Sequence, residues 1–65
     1  MVMPSTPIPR VSKPFERALS GIGVTSLEQV AEHTRAELAA LHGVGAKGMR
    51  MLDEALSAHH LTYRD

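Results

Sequence analysis

The sequence predicts an all-α domain of four or five short helices, and three observations support this. Apolar residues recur at helical spacing in four separate stretches, whereas no stretch alternates apolar and polar residues as a half-buried strand would. Hydroxyl residues that cap helices and glycines that end them lie between those stretches. The chain has 65 residues and no cysteine, so helix packing has to build its core without disulfides.

The elements are expected in a fixed order along the chain. Residues 1–13 contain three prolines and are predicted to form a flexible, extended arm, and residues 14–65 the helical domain. The expected helices are 14–21, 26–33, 35–41 and a fourth that begins near Ala46 or Lys47 and ends near His60. Their predicted buried residues are Phe15, Ala18, Leu19, Leu27, Val30, Ala31, Leu38, Leu41, Met49, Leu52, Ala55, Leu56 and His59, with Leu61 and Tyr63 packing back onto them.

The helix boundaries follow from local signals. Pro14 suits the first turn of helix 1, where its missing N–H costs nothing, and Gly21 is expected to end that helix with Ile22 as the following apolar residue. Two four-residue segments, starting at Thr25 and Thr34, each place a hydroxyl three residues before a glutamate. This spacing predicts capping boxes at the starts of helices 2 and 3.

The segment from Leu38 to Leu52 carries the clearest functional signal. Gly43 can take the left-handed backbone conformation that ends a helix, and Val44 is expected to point into the core. Gly45 has no Cβ, so a phosphate could approach the backbone closely, and the free amides that start the next helix favour an anion. Together with Lys47, this turn predicts a binding site for a nucleic-acid phosphate.

A weaker copy of this turn lies 22 residues earlier, where Gly21–Gly23 follows Leu19. Thr25 stands where the second copy has Lys47, so the first turn is more typical of a structural connector. The candidate nucleic-acid-binding residues are Gly43, Gly45, Lys47, Gly48, Arg50, Arg17 and Thr25.

These motifs resemble the helix-hairpin-helix superfamily, whose members commonly bind DNA without reading sequence. A closer similarity is to the C-terminal domain of the bacterial RNA polymerase alpha subunit. It covers roughly residues 15–63 and is carried by Leu27, Val30, Thr34, Glu37, Leu38, the run Gly43-Val44-Gly45-Ala46-Lys47, Leu52 and Leu61-Thr62-Tyr63. The resemblance implies a compact tandem helix-hairpin-helix fold of the SAM-like type, with DNA contacts at Gly45, Lys47 and Gly48. Near the start of helix 1, only Arg17 could replace that family's arginine contact.

Other functions are expected to be absent. The sequence has no cysteine nucleophile, no glycine-framed serine with a plausible base and no acid pair in a recognisable catalytic arrangement, so we expect no catalysis and no small-molecule substrate. The four histidines lack metal-ligand spacing, and no metal or cofactor is expected. Residues Met1–Pro4 lack the features of a signal peptide and no apolar run could span a membrane, so a cytoplasmic location is expected.

Two functional hypotheses follow. The first is a non-enzymatic domain that binds DNA, in double-stranded form, through the phosphate backbone. The second is a protein–protein interaction module with a degenerate hairpin, recognised by an apolar patch around Met51, Leu61 and Tyr63. Seven basic and seven acidic residues cancel, which favours the second hypothesis. However, no acid lies between Leu38 and Leu52, which favours the first.

Overall fold

The computed structural model describes residues 6–64 and contains four α-helices. No strand occurs in this range, so the predicted all-α class is confirmed. The helices are α1 (Lys13–Gly21), α2 (Leu27–Val30), α3 (Arg35–Ala39) and α4 (Gly45–Ala58). Within the same range, no helix has the length and apolar character that crossing a membrane requires.

Hydroxyl side chains cap the first three helices. Ser12 accepts a hydrogen bond from the Phe15 amide, and Thr34 accepts one from the Glu37 amide, as the second capping box predicts. The first capping box was placed one residue too early. The cap of α2 is Ser26 rather than Thr25. Ser26 accepts a hydrogen bond from the Gln29 amide and is only 6% exposed.

Two helices are shorter than predicted because their last turns tighten. After Val30, the amide of His33 bonds back to a carbonyl three residues earlier, not four. The amide of Leu41 does the same, so α3 ends at Ala39. Such bonds belong to 3₁₀-type turns, which apolar periodicity does not distinguish from α-helix.

The end of α1 also differs from the prediction. Gly21 is the last helical residue, and Gly23 takes the positive φ of 77°. The amides of Val24 and Gly23 bond to the carbonyls of Leu19 and Ser20, which is a Schellman motif. Val24 is therefore the buried apolar residue of this turn, and Ile22 is exposed.

One hydrophobic core joins all four helices. The predicted Leu41, Ala18 and Ala55 are only partly buried against it, and His59 is exposed, which corrects the predicted apolar stripe of α4. The fully buried apolar residues are Phe15, Leu19, Val24, Leu27, Val30, Leu38, Val44, Met49, Leu52 and Leu56.

The chain on either side of the helices packs onto this core. Residues 6–12 contain no helix or strand, and Ile8 and Val11 lie against the core, so this part of the arm has packing contacts that the sequence did not indicate. The rest of the predicted arm, residues 1–5, lies outside the described residues. Leu61 and Tyr63 also pack against the core, which confirms their predicted position.

Candidate nucleic-acid interface

The second glycine turn is packed tightly against the start of α1. Gly43 has a φ of 101°, and a Cβ built on it would lie 2.7 Å from the Pro14 carbonyl oxygen. Both the backbone conformation and the lack of space exclude a side chain here. Gly43 therefore shapes the turn and anchors it to α1.

Of the next two residues, Val44 lies in the core and Gly45 lies at the surface. Val44 is 4% exposed, so it points inward as predicted. Gly45 has a φ of 66° and is exposed, and a Cβ built on it would meet nothing within 4 Å. The backbone at Gly45 is consequently open to a ligand, which is the geometry that the sequence predicted for close approach.

Helix α4 begins at this open backbone without a side-chain cap. Its N-cap residue is Val44, and its first turn contains no acid. Residues 45–47 are all exposed. The first amides of a helix have no partner within the helix, and together with the helix dipole they attract anions. The start of α4 thus presents amides that no side-chain cap satisfies.

Two predicted cations lie on the first turns of α4. Lys47 and Arg50 are exposed and three residues apart, a spacing that places side chains on neighbouring positions of one helix face. Within residues 6–64, the ion pairs are His33–Glu37 and Arg35–Asp53. Lys47 and Arg50 take part in neither of them.

Gly48 does not have the predicted role. It is buried, and a Cβ built on it would lie 2.7 Å from Cδ2 of Phe15 and 3.2 Å from Cγ1 of Val44. This glycine lets the Phe15 ring pack directly on the α4 backbone. It is a packing residue, and a nucleic acid could not reach it without displacing Phe15.

Arg17 is exposed on α1, three residues after Pro14. Residues three apart lie about one helical turn from each other on the same side of a helix. Because the Pro14 carbonyl abuts Gly43, the structure brings this side of α1 next to the second turn. This placement is compatible with the predicted role of Arg17 as a contact near the second turn.

Thr25, in the first turn, is already engaged within the protein. Its amide and its hydroxyl both donate to Oε1 of Gln29, at 2.6 and 2.8 Å. A phosphate would have to compete with these two bonds. The structure thus does not support Thr25 as a phosphate contact, and the first turn has the features of a structural connector.

Sequence reasoning missed a polar network between α3, α4 and the C-terminal tail. Arg35 donates from Nε and Nη2 to the two carboxylate oxygens of Asp53, at 3.2 and 2.9 Å, and the Tyr63 hydroxyl donates to Asp53 at 2.6 Å. The Arg35 guanidinium, and then the Tyr63 hydroxyl, lower the pKa of Asp53. Burial, and then Asp53, raise the pKa of Tyr63.

Arg35 lies between two surface depressions. One, of about 340 Å³, is also bordered by Gly45, Ala46 and Met49, so Arg35 is close to the start of α4. The other, of about 470 Å³, has Leu56, Leu61 and Tyr63 among its lining residues. The Thr34 cap places Arg35 at the start of α3, but no local signal indicates that Asp53, 18 residues later, would hold it.

The predicted apolar patch is brought together only in part. Leu61 and Tyr63 border the larger depression, but Met51 is not among its lining residues. Within the described residues, no group of three or more histidine, aspartate or glutamate side chains is placed to hold a metal ion.

Comparisons with known proteins add no relative to this description. Family models, curated proteins and solved structures contain no match to the chain. The resemblance to helix-hairpin-helix proteins therefore stays a prediction from the sequence motifs.

Proposed function

We propose that this chain is a small, non-enzymatic DNA-binding domain of the helix-hairpin-helix type that holds the phosphate backbone without reading sequence. The observation that supports this most strongly is the start of α4. It is the only helix start in residues 6–64 without a hydroxyl cap, and its exposed first residues include Gly45, with open backbone, and Lys47.

The proposed contact has three components. The first-turn amides of α4 donate to phosphate oxygens, and the helix dipole adds a favourable field. Lys47 adds a full charge beside these amides, with Arg50 and Arg17 as flanking cations. Contacts of this kind act on the backbone that every sequence shares, so they position DNA without selecting a base sequence. The same proposal places the protein, and the DNA that it binds, in the cytoplasm.

Salt dependence tests this proposal directly. With about three to five phosphates neutralised, the slope of log K against log salt should be roughly −3 to −4.5, with a dissociation constant on the order of 10⁻⁴ to 10⁻⁶ M. Fluorescence anisotropy of a labelled duplex, titrated at several salt concentrations, measures both quantities. Absence of binding at low salt would overturn the proposal.

A matched pair of variants tests the site. Lys47→Ala should weaken binding and make the salt slope about one unit shallower. Arg64→Ala removes the same charge from the C-terminal tail, where the Arg64 amide donates a hydrogen bond to the His33 carbonyl. If both variants weaken binding equally, net charge alone explains the affinity and the assigned site is wrong.

A second candidate function is supported by the larger depression. Its lining combines the apolar side chains of Leu56 and Leu61 with the polar groups of Arg35, Asp53 and Tyr63, and protein-binding surfaces also combine apolar and polar residues. Self-association measured by sedimentation, lost on Leu61→Ser but not on Lys47→Ala, would favour this function over DNA binding.

A further inference from the structure

Residues 6–11, here called the strap, are fastened to α2 by one residue. The Thr6 amide donates to Oε1 of Glu28 at 2.8 Å, and the Thr6 hydroxyl donates to Oε2 at 2.6 Å. The Thr6 carbonyl accepts a hydrogen bond of 2.9 Å from the Leu27 amide. All three polar groups of Thr6 are therefore bonded to residues more than 20 positions away.

The remainder of the strap is held by packing. Ile8 and Val11 lie against the hydrophobic core, and Ser12 caps α1 immediately afterwards. Arg10 stands between these two apolar contacts, so its backbone is held from both sides. Its side chain is exposed.

Arg10 is held beside the first glycine turn. It borders a depression of about 300 Å³ together with Thr25, Val24 and Glu16. Neither ion pair in residues 6–64 includes Arg10, although the Glu16 carboxylate lies at the same depression. The first turn itself has no cation, because Thr25 stands where the second turn has Lys47.

We propose that the strap supplies this missing cation: Arg10, positioned by the hydrogen bonds between Thr6 and Glu28, contacts a second phosphate of the bound nucleic acid. This inference rests on the proposed function and adds a second contact to it. Arg10 touches the phosphate, whereas Thr6 and Glu28 act through Arg10 as positioning residues. The nearby Glu16 carboxylate opposes the phosphate, so this contact is weaker than the one at Lys47.

Two substitutions separate the contact from its positioning. Arg10→Ala should weaken DNA binding about three- to tenfold at low salt and make the salt slope about 0.9 units shallower, while Arg10→Lys should keep the slope. Thr6→Val keeps the charge of the chain constant, whereas Glu28→Gln would itself favour DNA by removing a negative charge. Thr6→Val should weaken binding about two- to threefold, and Thr6→Ser should restore it.

Coupling between the two positions is the decisive measurement. If Thr6 acts only through Arg10, the double variant should bind no more weakly than Arg10→Ala alone. Additive losses of affinity would show that Thr6 acts independently of Arg10, which would overturn its positioning role.

Trypsin cleavage after Arg10 gives a readout that does not depend on affinity. Losing the hydroxyl hydrogen bond to Glu28 should raise strap opening, and hence cleavage of the full chain of Thr6→Val, about two- to tenfold. A labelled duplex should protect the same bond in the wild-type chain. Equal cleavage of the two chains would show that the Thr6 hydroxyl does not hold the strap.

The outcomes distinguish this inference from the function it rests on. If Lys47→Ala weakens binding and Arg10→Ala does not, the strap contact is wrong and the DNA-binding proposal stands. If the wild-type chain binds no duplex at low salt, the proposed function fails and the second contact fails with it. Circular dichroism of each variant verifies that the helices are intact, and the exposed Arg10 gives a variant that should fold normally.

Discussion

The two glycine turns are similar in sequence but satisfy their backbone amides in different ways. In the first turn, Gly23 closes α1 through a Schellman motif, and Gln29 and Ser26 accept the amide hydrogen bonds that follow. In the second turn, α4 begins at Gly45 without any side-chain cap. Side chains therefore accept two of the amide hydrogen bonds that follow the first turn, whereas no side chain caps the helix that follows the second.

This difference shows why a repeated motif need not have a repeated function. Both copies have a positive-φ glycine at the same place in the repeat, Gly23 and Gly45, and both bury the apolar residues that follow, Leu27 and Met49. The shared pattern builds the fold. The polar residues around those positions decide whether the amides stay free, since the side chains of Ser26 and Gln29 accept amide hydrogen bonds in the first copy.

The largest expected difference between the turns concerns their first glycines. Gly43→Ala forces a Cβ against the Pro14 carbonyl at a φ of 101°, and should lower the free energy of unfolding by about 2–5 kcal/mol. Gly21 has open space around it and no positive φ, so Gly21→Ala should raise the free energy of unfolding by about 0.4–1 kcal/mol. Chemical denaturation followed by circular dichroism compares them, and similar losses for both would contradict the assigned packing.

A smaller effect is expected at Gly48, inside α4. The added methyl of Gly48→Ala meets the Phe15 ring, at a cost of about 1–3 kcal/mol that the better helix propensity of alanine offsets by about 1. The net loss of unfolding free energy should be about 0–2 kcal/mol. Phe15→Leu in the same chain should recover part of this loss, whereas strictly additive losses would show that the ring is not the obstacle.

A crossed comparison separates stability from binding at the equivalent positions Thr25 and Lys47. Thr25→Val removes the hydroxyl bond to Gln29, and should cost about 0.5–1.5 kcal/mol of stability without changing the salt slope of DNA binding. Lys47→Ala should change that slope and alter stability by less than about 0.5 kcal/mol. A slope change in the Thr25 variant would reinstate the first turn as a phosphate contact.

The smallest expected effect is a pH dependence of the strap. Hydrogen bonds from the Thr6 side chain, and then from its backbone amide, lower the pKa of Glu28 below its ordinary value of 4.5. A carboxylate with a lowered pKa stabilises the folded state above that ordinary value, and the contribution is lost as the pH falls through the lower folded value. The chemical shift of the Thr6 amide should report strap release in this acidic window.

Glu28→Gln provides the control for this pH dependence, because it removes the titrating group. Its strap should show no acid transition of its own between neutral pH and the acidic window. An unchanged transition in this variant would assign the titration to another carboxylate, such as Asp53, whose pKa Arg35 also lowers.

Local rules predicted much of the fold. The place of Pro14 in the first turn of α1, the Thr34 cap and the buried stripe of Met49, Leu52 and Leu56 all depend on residues within about one helical turn of each other. The same rules misplaced the cap of α2, because Thr25 and Ser26 are both hydroxyl residues and the spacing alone did not decide between them.

The candidate site was predictable to a lesser extent. The open backbone at Gly45 and the exposed Lys47 follow from the turn motif. The spacing of glycines, however, could not reveal that Gly48 faces the Phe15 ring, since α1 is more than 20 residues away along the chain. A glycine in a turn motif has the same signature whether it admits a ligand or an aromatic ring.

By itself, then, the sequence determined which segments are helical, which faces they bury and where the two turns lie. The tertiary structure alone decided which donors and cations remain available. It joined Thr6 to Glu28 and Arg35 to Asp53, pairs separated by 22 and 18 residues. The physical reason is the separation along the chain over which each effect acts. Capping and periodicity involve residues about four positions apart, whereas the pairing of distant polar groups depends on how the packed core brings their backbones together.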